Sequence, residues 1–138
     1  MQQHKIEIDV TLDNLKMPEH IEWHASNGGH GDTPQAAKAM LLSLWDGKEK
    51  AAMRIDLWTK LMTIDEMNTF FFQTMVTLAD TYANATKNKG LGDDFKNFAK
   101  EFKAKADELL RSEFDQMEAE LKKAEEAAQN TATENESL

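Results

Sequence analysis

The residues best equipped for chemistry in this chain are four histidines, His4, His20, His24 and His30, which raise the question of a metal ion. His20, Glu22 and His24 alternate along an extended segment, so they would project from one side of a strand at intervals of about 6.8 Å. One ion could touch two of them only if the strand bent, or if a loop residue such as His30 or Asp32 closed in. Solvated polar residues on an edge strand account for the pattern more simply, and no metal is assigned. None of Ser26, Ser43, Ser112 and Ser137 sits in the sharp strand-to-helix turn of a serine nucleophile. The segment GGHGD lacks the lysine and following helix of a phosphate loop, and GLGDD sets two acids where phosphate would sit. Carboxylates abound, but without a pocket no pair can be given acid and base roles. The chain is read as a non-enzyme with no cofactor.

Two tryptophans offer a different chemistry, that of protein contact. Between Ala39 and Thr59 two apolar runs flank Asp46, Gly47, Lys48 and Glu49, the pattern of a β-hairpin with Gly47 in its turn. Pairing Asp46 with Glu49 opposes Leu44 to Ala51, Leu42 to Met53 and Met40 to Ile55, and puts them on one face with Leu57. The other face then carries Leu41, Ser43, Trp45, Ala52, Arg54, Asp56 and Trp58. Indoles beside an arginine are common interface anchors, because they bury much area at little rotamer cost. Leu41, Trp45, Arg54, Asp56 and Trp58 are therefore the candidate protein interface. The same rings could instead be covered by the chain's own second helix or first strand.

The elements that would position this face are legible in outline. Ile6, Ile8, Val10 and Leu12 alternate with Lys5, Glu7, Asp9 and Thr11 in a half-buried strand, and His20 to Ala25 repeats the pattern. The stretch SNGGHGDTP reads as an exposed loop. Thr63 to Glu66 forms a capping box, from which a helix runs to about Asn88. Its stripes, Met67, Phe71, Met75, Leu78, Tyr82 and Phe72, Val76, Ala79, Ala83, are together wide enough to pack on a sheet. Gly90 and Gly92 break the chain, and Asp93 or Asp94 caps a second helix. That helix is predicted to carry Phe95, Phe98, Phe102, Ala106 and Leu109, then, after a phase shift, Leu110, Phe114, Met117, Leu121, Ala124 and Ala128. Unbroken to Ala128 it would be roughly 50 Å long, so its distal half protrudes, bends back or meets another chain as a dimer seam. NTATENESL is expected to be disordered. The fold class is α+β: a four-stranded antiparallel sheet with the first helix across its apolar face, then a long second helix. Residues 1–112 make one domain, and 113–138 an acidic helical extension with a disordered tail.

Composition narrows the partners. The net charge is −9, from 16 basic and 25 acidic residues, with no basic patch to draw nucleic acid. Eight of the acids lie beyond residue 112, against only Lys122 and Lys123. The absence of cysteine rules out disulfides and zinc-thiolate sites and fits a reducing compartment. No apolar run resembles a leader core or reaches the roughly 18 residues of a membrane span, so the expectation is a soluble or at most peripheral protein.

The segments PEHIEWHAS, AKAMLLSLWDGKEKAAMRIDLWTK and MTIDEMNTFFFQTMVTLADTYANAT closely resemble GldC, a gliding-motility protein family of Bacteroidota, over about Ile6 to Ala106. The resemblance implies a cytoplasmic or inner-membrane-associated accessory of the gliding machinery, itself tied to type IX secretion. Its partners would be other gliding-machinery proteins, with a homo-oligomer also open. The family supplies no catalytic motif to carry over. By order of elements alone, strands followed by two helices and an acidic tail are similar to SecB-type export chaperones, oligomers that hold unfolded chains. That likeness implies a holdase as the alternative.

Overall fold

The computed structural model describes residues 1–26 and 33–136. The chain divides into two compact units, Met1–Thr63 and Ile64–Leu138.

The first unit is all β. Strands β1 (Ile6–Leu12) and β2 (Pro18–Ala25) pair antiparallel, with Ile8 opposite Trp23 and Val10 opposite Ile21. The hairpin turn is held by Asp13, whose Oδ1 accepts from the amides of Leu15 and Met17 at 2.8 and 2.9 Å. Lys16 closes the turn in the left-handed region, at φ 61°. A three-residue strand β3 (Gln35–Ala37) adds to β2, and β4 (Ala39–Asp46) pairs with β5 (Ala51–Trp58) in a separate two-stranded sheet. The four-stranded sheet expected from the sequence is thus corrected to one sheet of three strands and one of two. The cause lies at Lys38, where one extended segment changes partner: Ala37 pairs with Ile21 of β2, and Ala39 with Trp58 of β5. Continuing the β2 ladder would bring Pro18 opposite Met40, and proline has no N–H to donate. The Thr59 amide donates to the Lys38 carbonyl at 2.8 Å, and Lys60 pairs with Asp13, tying β5 to the β1–β2 turn. Ile21 and Pro18 are buried; so is Thr59. His30 and Asp32, weighed above as loop ligands, lie outside the described residues.

The second unit is a helical hairpin of α1 (Ile64–Thr86) and α2 (Lys89–Glu136). α1 follows Thr63, with Asp65 and Glu66 in its first turn, where carboxylates meet the positive end of the helix dipole. It ends on Lys87 at φ 60°, the left-handed residue that commonly stops a helix. α2 starts five or six residues earlier than a cap at Asp93 or Asp94 predicts. Asn88 takes that role, its Oδ1 accepting from Leu91 N at 3.1 Å. Gly90 and Gly92, expected to break the chain, lie inside α2. Within this unit α1 packs on α2. Its second stripe makes the contact, with Ala79 fully buried and Ala83 beside Gly92, while Gly92 and Ala99 are buried on α2. Lys96 Nζ reaches Asp80 Oδ1 at 2.5 Å across the pair and is held above the ordinary lysine value by that bond. Phe71, Leu78 and Tyr82 of the first stripe stay exposed. α2 is a continuous helix through Glu136, extending into the polar segment for which the sequence predicted no regular structure. Among the described residues, no helix is long and apolar enough to cross a membrane.

Candidate protein interface

The β4–β5 hairpin is shaped at its turn. Asp46 Oδ1 accepts from the amides of Lys48 and Glu49 at 2.8 and 3.0 Å, and these bonds, Glu49 first, hold its carboxyl below the usual range. Four residues, Gly47 to Lys50, form the loop, and Lys50 returns the chain at φ 52°. Asp46 therefore opposes Ala51, two positions beyond the expected register. A shift of two preserves the faces, because side chains alternate with period two. Leu41, Trp45, Arg54, Asp56 and Trp58 accordingly share one side.

On that side Trp45 stands opposite Ala52, and Trp58 opposite Ala39. Six positions along β5 separate the two ends, roughly 20 Å at strand rise. Both rings are open to solvent, Trp45 at 68% and Trp58 at 53% of full exposure. Between them Arg54 Nη2 lies 3.1 Å from Asp56 Oδ1 and 2.9 Å from Oδ2. An exposed pair of this kind contributes under about 1 kcal/mol to stability, so its effect is to orient the guanidinium. Leu41, half-buried, faces Asp56 across the ladder. The face is an aromatic at each end with a fixed charge pair in the middle, suited to anchoring a protein surface by burial at two points. Beside Trp58, a hollow of about 150 Å³ is lined by Met17, Pro18, Asp56 and Leu57.

The opposite side differs from expectation. Met40, Leu42 and Leu57 are half-buried, but Leu44, Met53 and Ile55, predicted to line the interior, are each more than half exposed. A two-stranded sheet cannot cover both of its own faces. The signal was available: a hairpin apolar on both sides needs a second layer on each.

The histidines of β2 meet carboxylates. His24 Nε2 is 2.7 Å from Glu7 Oε2, and His20 Nε2 is 3.1 Å from Glu22 Oε1. Among the described residues, no group of three His, Cys, Asp or Glu is placed to hold a metal ion.

A family described as gliding motility-associated protein GldC-like matches residues 18–108. The matched span runs from the first residue of β2 into α2 and includes all five candidate interface residues; it omits β1 and the distal part of α2. No curated protein and no solved structure matches the chain.

Proposed function

Since the chain belongs to the GldC-like family of gliding motility-associated proteins, we propose that it is a non-enzymatic accessory of the gliding and type IX secretion machinery. It works by docking a protein partner on the Trp45–Trp58 face, in the cytoplasm or at the inner-membrane surface. The observation that carries this reading is the pair of exposed indoles flanking the Arg54–Asp56 ion pair. Leaving two indoles in water forgoes the burial they would gain against a partner. Affinity capture from native cells with the unaltered chain and with Trp45→Ala tests it. The variant is expected to lose a machinery component while melting as the parent does; recovery of the same set by both baits would sink the docking face.

A second reading is favoured by Leu44, Met53 and Ile55. Three exposed aliphatic side chains on one face suit the binding of unfolded secretion clients, as a SecB-like holdase would bind them. Suppressed aggregation of an unrelated unfolded protein would support the holdase; no suppression, with capture of one dedicated partner, would support the accessory.

A further inference from the structure

The antiparallel register of α1 and α2 is set by three contacts: Gly92 against Ala83, Lys96 with Asp80, and Ile64 lining the same hollow as Leu110. α1 is 23 residues long and α2 is 48, roughly 34 and 72 Å at helical rise. α1 is therefore exhausted near Arg111, and α2 continues to Glu136 with no helix beside it in its unit. Every side chain from Arg111 to Asn130 is exposed. That stretch nonetheless carries an apolar stripe: Phe114, Met117 and Leu121 are 56%, 52% and 57% exposed, and Ala124 and Ala128 continue their spacing. A solvated arm needs no such stripe.

The proximal half of the hairpin has the complementary feature. A hollow of about 410 Å³ opens along the two helices, lined by Ile64, Phe98, Phe102, Lys105 and Leu109 among others. Ile64, Phe98 and Leu109 are each more than half exposed there.

We propose that the occupant of this hollow is the distal arm of a second copy of the chain, the two α2 helices crossing antiparallel about a twofold axis between Arg111 and Ser112. Three independent features select this partner and this direction. The first is spacing. Leaving the axis in one direction, apolar residues fall at Phe114, Met117 and Leu121; in the other, at Leu109, Ala106 and Phe102. The steps of three and four mirror each other, so Phe114 lies level with Leu109 of the second copy, Met117 with Ala106 and Leu121 with Phe102; the five-residue step from Leu109 to Phe114 turns the two stripes to adjoining sides of the helix, which the crossing of the two helices takes up. Ala124, being small, leaves room for the ring of Phe98, and Met117 meets the small Ala106.

Charge is the second feature. Residues 113–128 hold six acids and two lysines, whereas residues 95–112 hold five basic residues and three acids. The antiparallel arrangement lays each acidic arm along the more basic half of the other copy and brings Glu118 and Glu120 alongside Lys103 and Lys105. A parallel pairing would lay six acids against six. The third feature is area. The twofold axis makes the contact twice, covering twelve large half-exposed side chains at roughly 100 Å² apiece, about half of what a fully buried aromatic contributes. The total, about 1,200 Å², reaches the lower bound of specific protein interfaces.

This interface lies within Ile64–Glu136 and does not involve the tryptophan face, so either can fail without the other. The test is sedimentation equilibrium of the full chain, with circular dichroism to verify helicity. The parent is expected to be a dimer that loosens with added salt, as exposed charge pairs do. Leu121→Glu, on an exposed turn, is expected to raise the dissociation constant by at least ~100-fold with helicity unchanged. Glu118→Lys weakens the dimer, and Lys105→Glu in the same chain restores part of the loss. Because the chain has no cysteine, single thiols report direction: Glu113→Cys, beside the axis and on the same side of the helix as Leu109 and Met117, cross-links the dimer on oxidation, while Ala128→Cys, about 50 Å from its copy by helical rise, does not. A monomer at the highest soluble concentration, a dimer unaffected by Leu121→Glu, or a dimer in which both thiols cross-link would each overturn the proposal.

Discussion

Gly92 of α2 lies so close to Ala83 of α1 that a Cβ built on the glycine would stand 2.8 Å from the alanine Cβ and 3.2 Å from the Ala79 carbonyl oxygen. The helices approach at their smallest residues, and the approach is what buries Ala79 and Ala99. Gly92→Ala is expected to force the helices apart and cost about 1–3 kcal/mol, despite the better helix propensity of alanine. Gly90→Ala is the control: its Cβ would meet only Asn88 Oδ1, at 3.6 Å, so propensity governs and stability rises by up to about 1 kcal/mol. Urea unfolding of the two variants distinguishes close packing from propensity, because the effects have opposite sign.

Lys16, Lys50 and Lys87 each hold a left-handed backbone, at φ 61°, 52° and 60°. Replacement of Lys50 by glycine relieves a steric cost of about 1 kcal/mol and adds a smaller entropy loss, for a net gain of about 0.3 kcal/mol. Lys48→Gly in the same loop has no such strain to relieve and is expected to lower stability by about 0.5 kcal/mol. Thermal melts of the pair check the sign.

The Asp13 carboxyl is held below its ordinary value of 3.8, first by the Lys60 ammonium and then by the Met17 and Leu15 amides. Lys60 is held above 10.5 by the same bond. A depressed carboxyl stabilises the fold fully above its ordinary value and loses that contribution as pH falls through the folded value; a raised ammonium does so fully below 10.5 and loses it as pH rises through its own. The pair therefore supports the fold between those limits. Asp13→Asn keeps an acceptor for the two amides and removes the charge, so the stability gap between parent and variant is expected to close as the pH drops below 3.8. Denaturant midpoints across an acid pH series measure it; a gap constant with pH would refute the assignment.

Thr59 is 3% exposed, and its Oγ1 has no hydrogen-bond partner among the described residues. Thr59→Val retains the amide that donates to Lys38 and replaces an unpaired buried hydroxyl with a methyl group. Stability is expected to rise by about 1 kcal/mol, read from the shift in melting temperature.

Trp45→Ala removes a side chain that is 68% exposed. Its effect on unfolding is expected to stay within about 0.5 kcal/mol, as for surface substitutions generally. A larger loss would place the indole in a packed environment and remove the case for a docking face.

Local signals were legible in the sequence where neighbouring residues generate them. The alternation of Ile6, Ile8, Val10 and Leu12 is β1, and the Thr63–Glu66 pattern marks the start of α1. The hairpin was legible too, but its register was not: Gly47 suggested a tight turn, whereas the Asp46 carboxylate and the left-handed Lys50 build a wider one. The faces survived because the slip was even. Gly90 and Gly92 misled for another reason. A glycine that breaks a helix and one that admits a neighbouring helix look alike in one dimension, and only the position of Ala83 tells them apart.

The sequence by itself determined β1, β2, β4, β5 and both helices in outline, that two indoles share a side of one hairpin, and where the charge gathers, because each follows from spacing along the chain. The tertiary structure alone decided that the extended segment changes partner at Lys38, that α1 packs on α2 through small residues, and that α2 runs past its partner with an apolar stripe in water. Those outcomes depend on which distant residues meet, and a pattern of period two or three and a half carries no information about its partner.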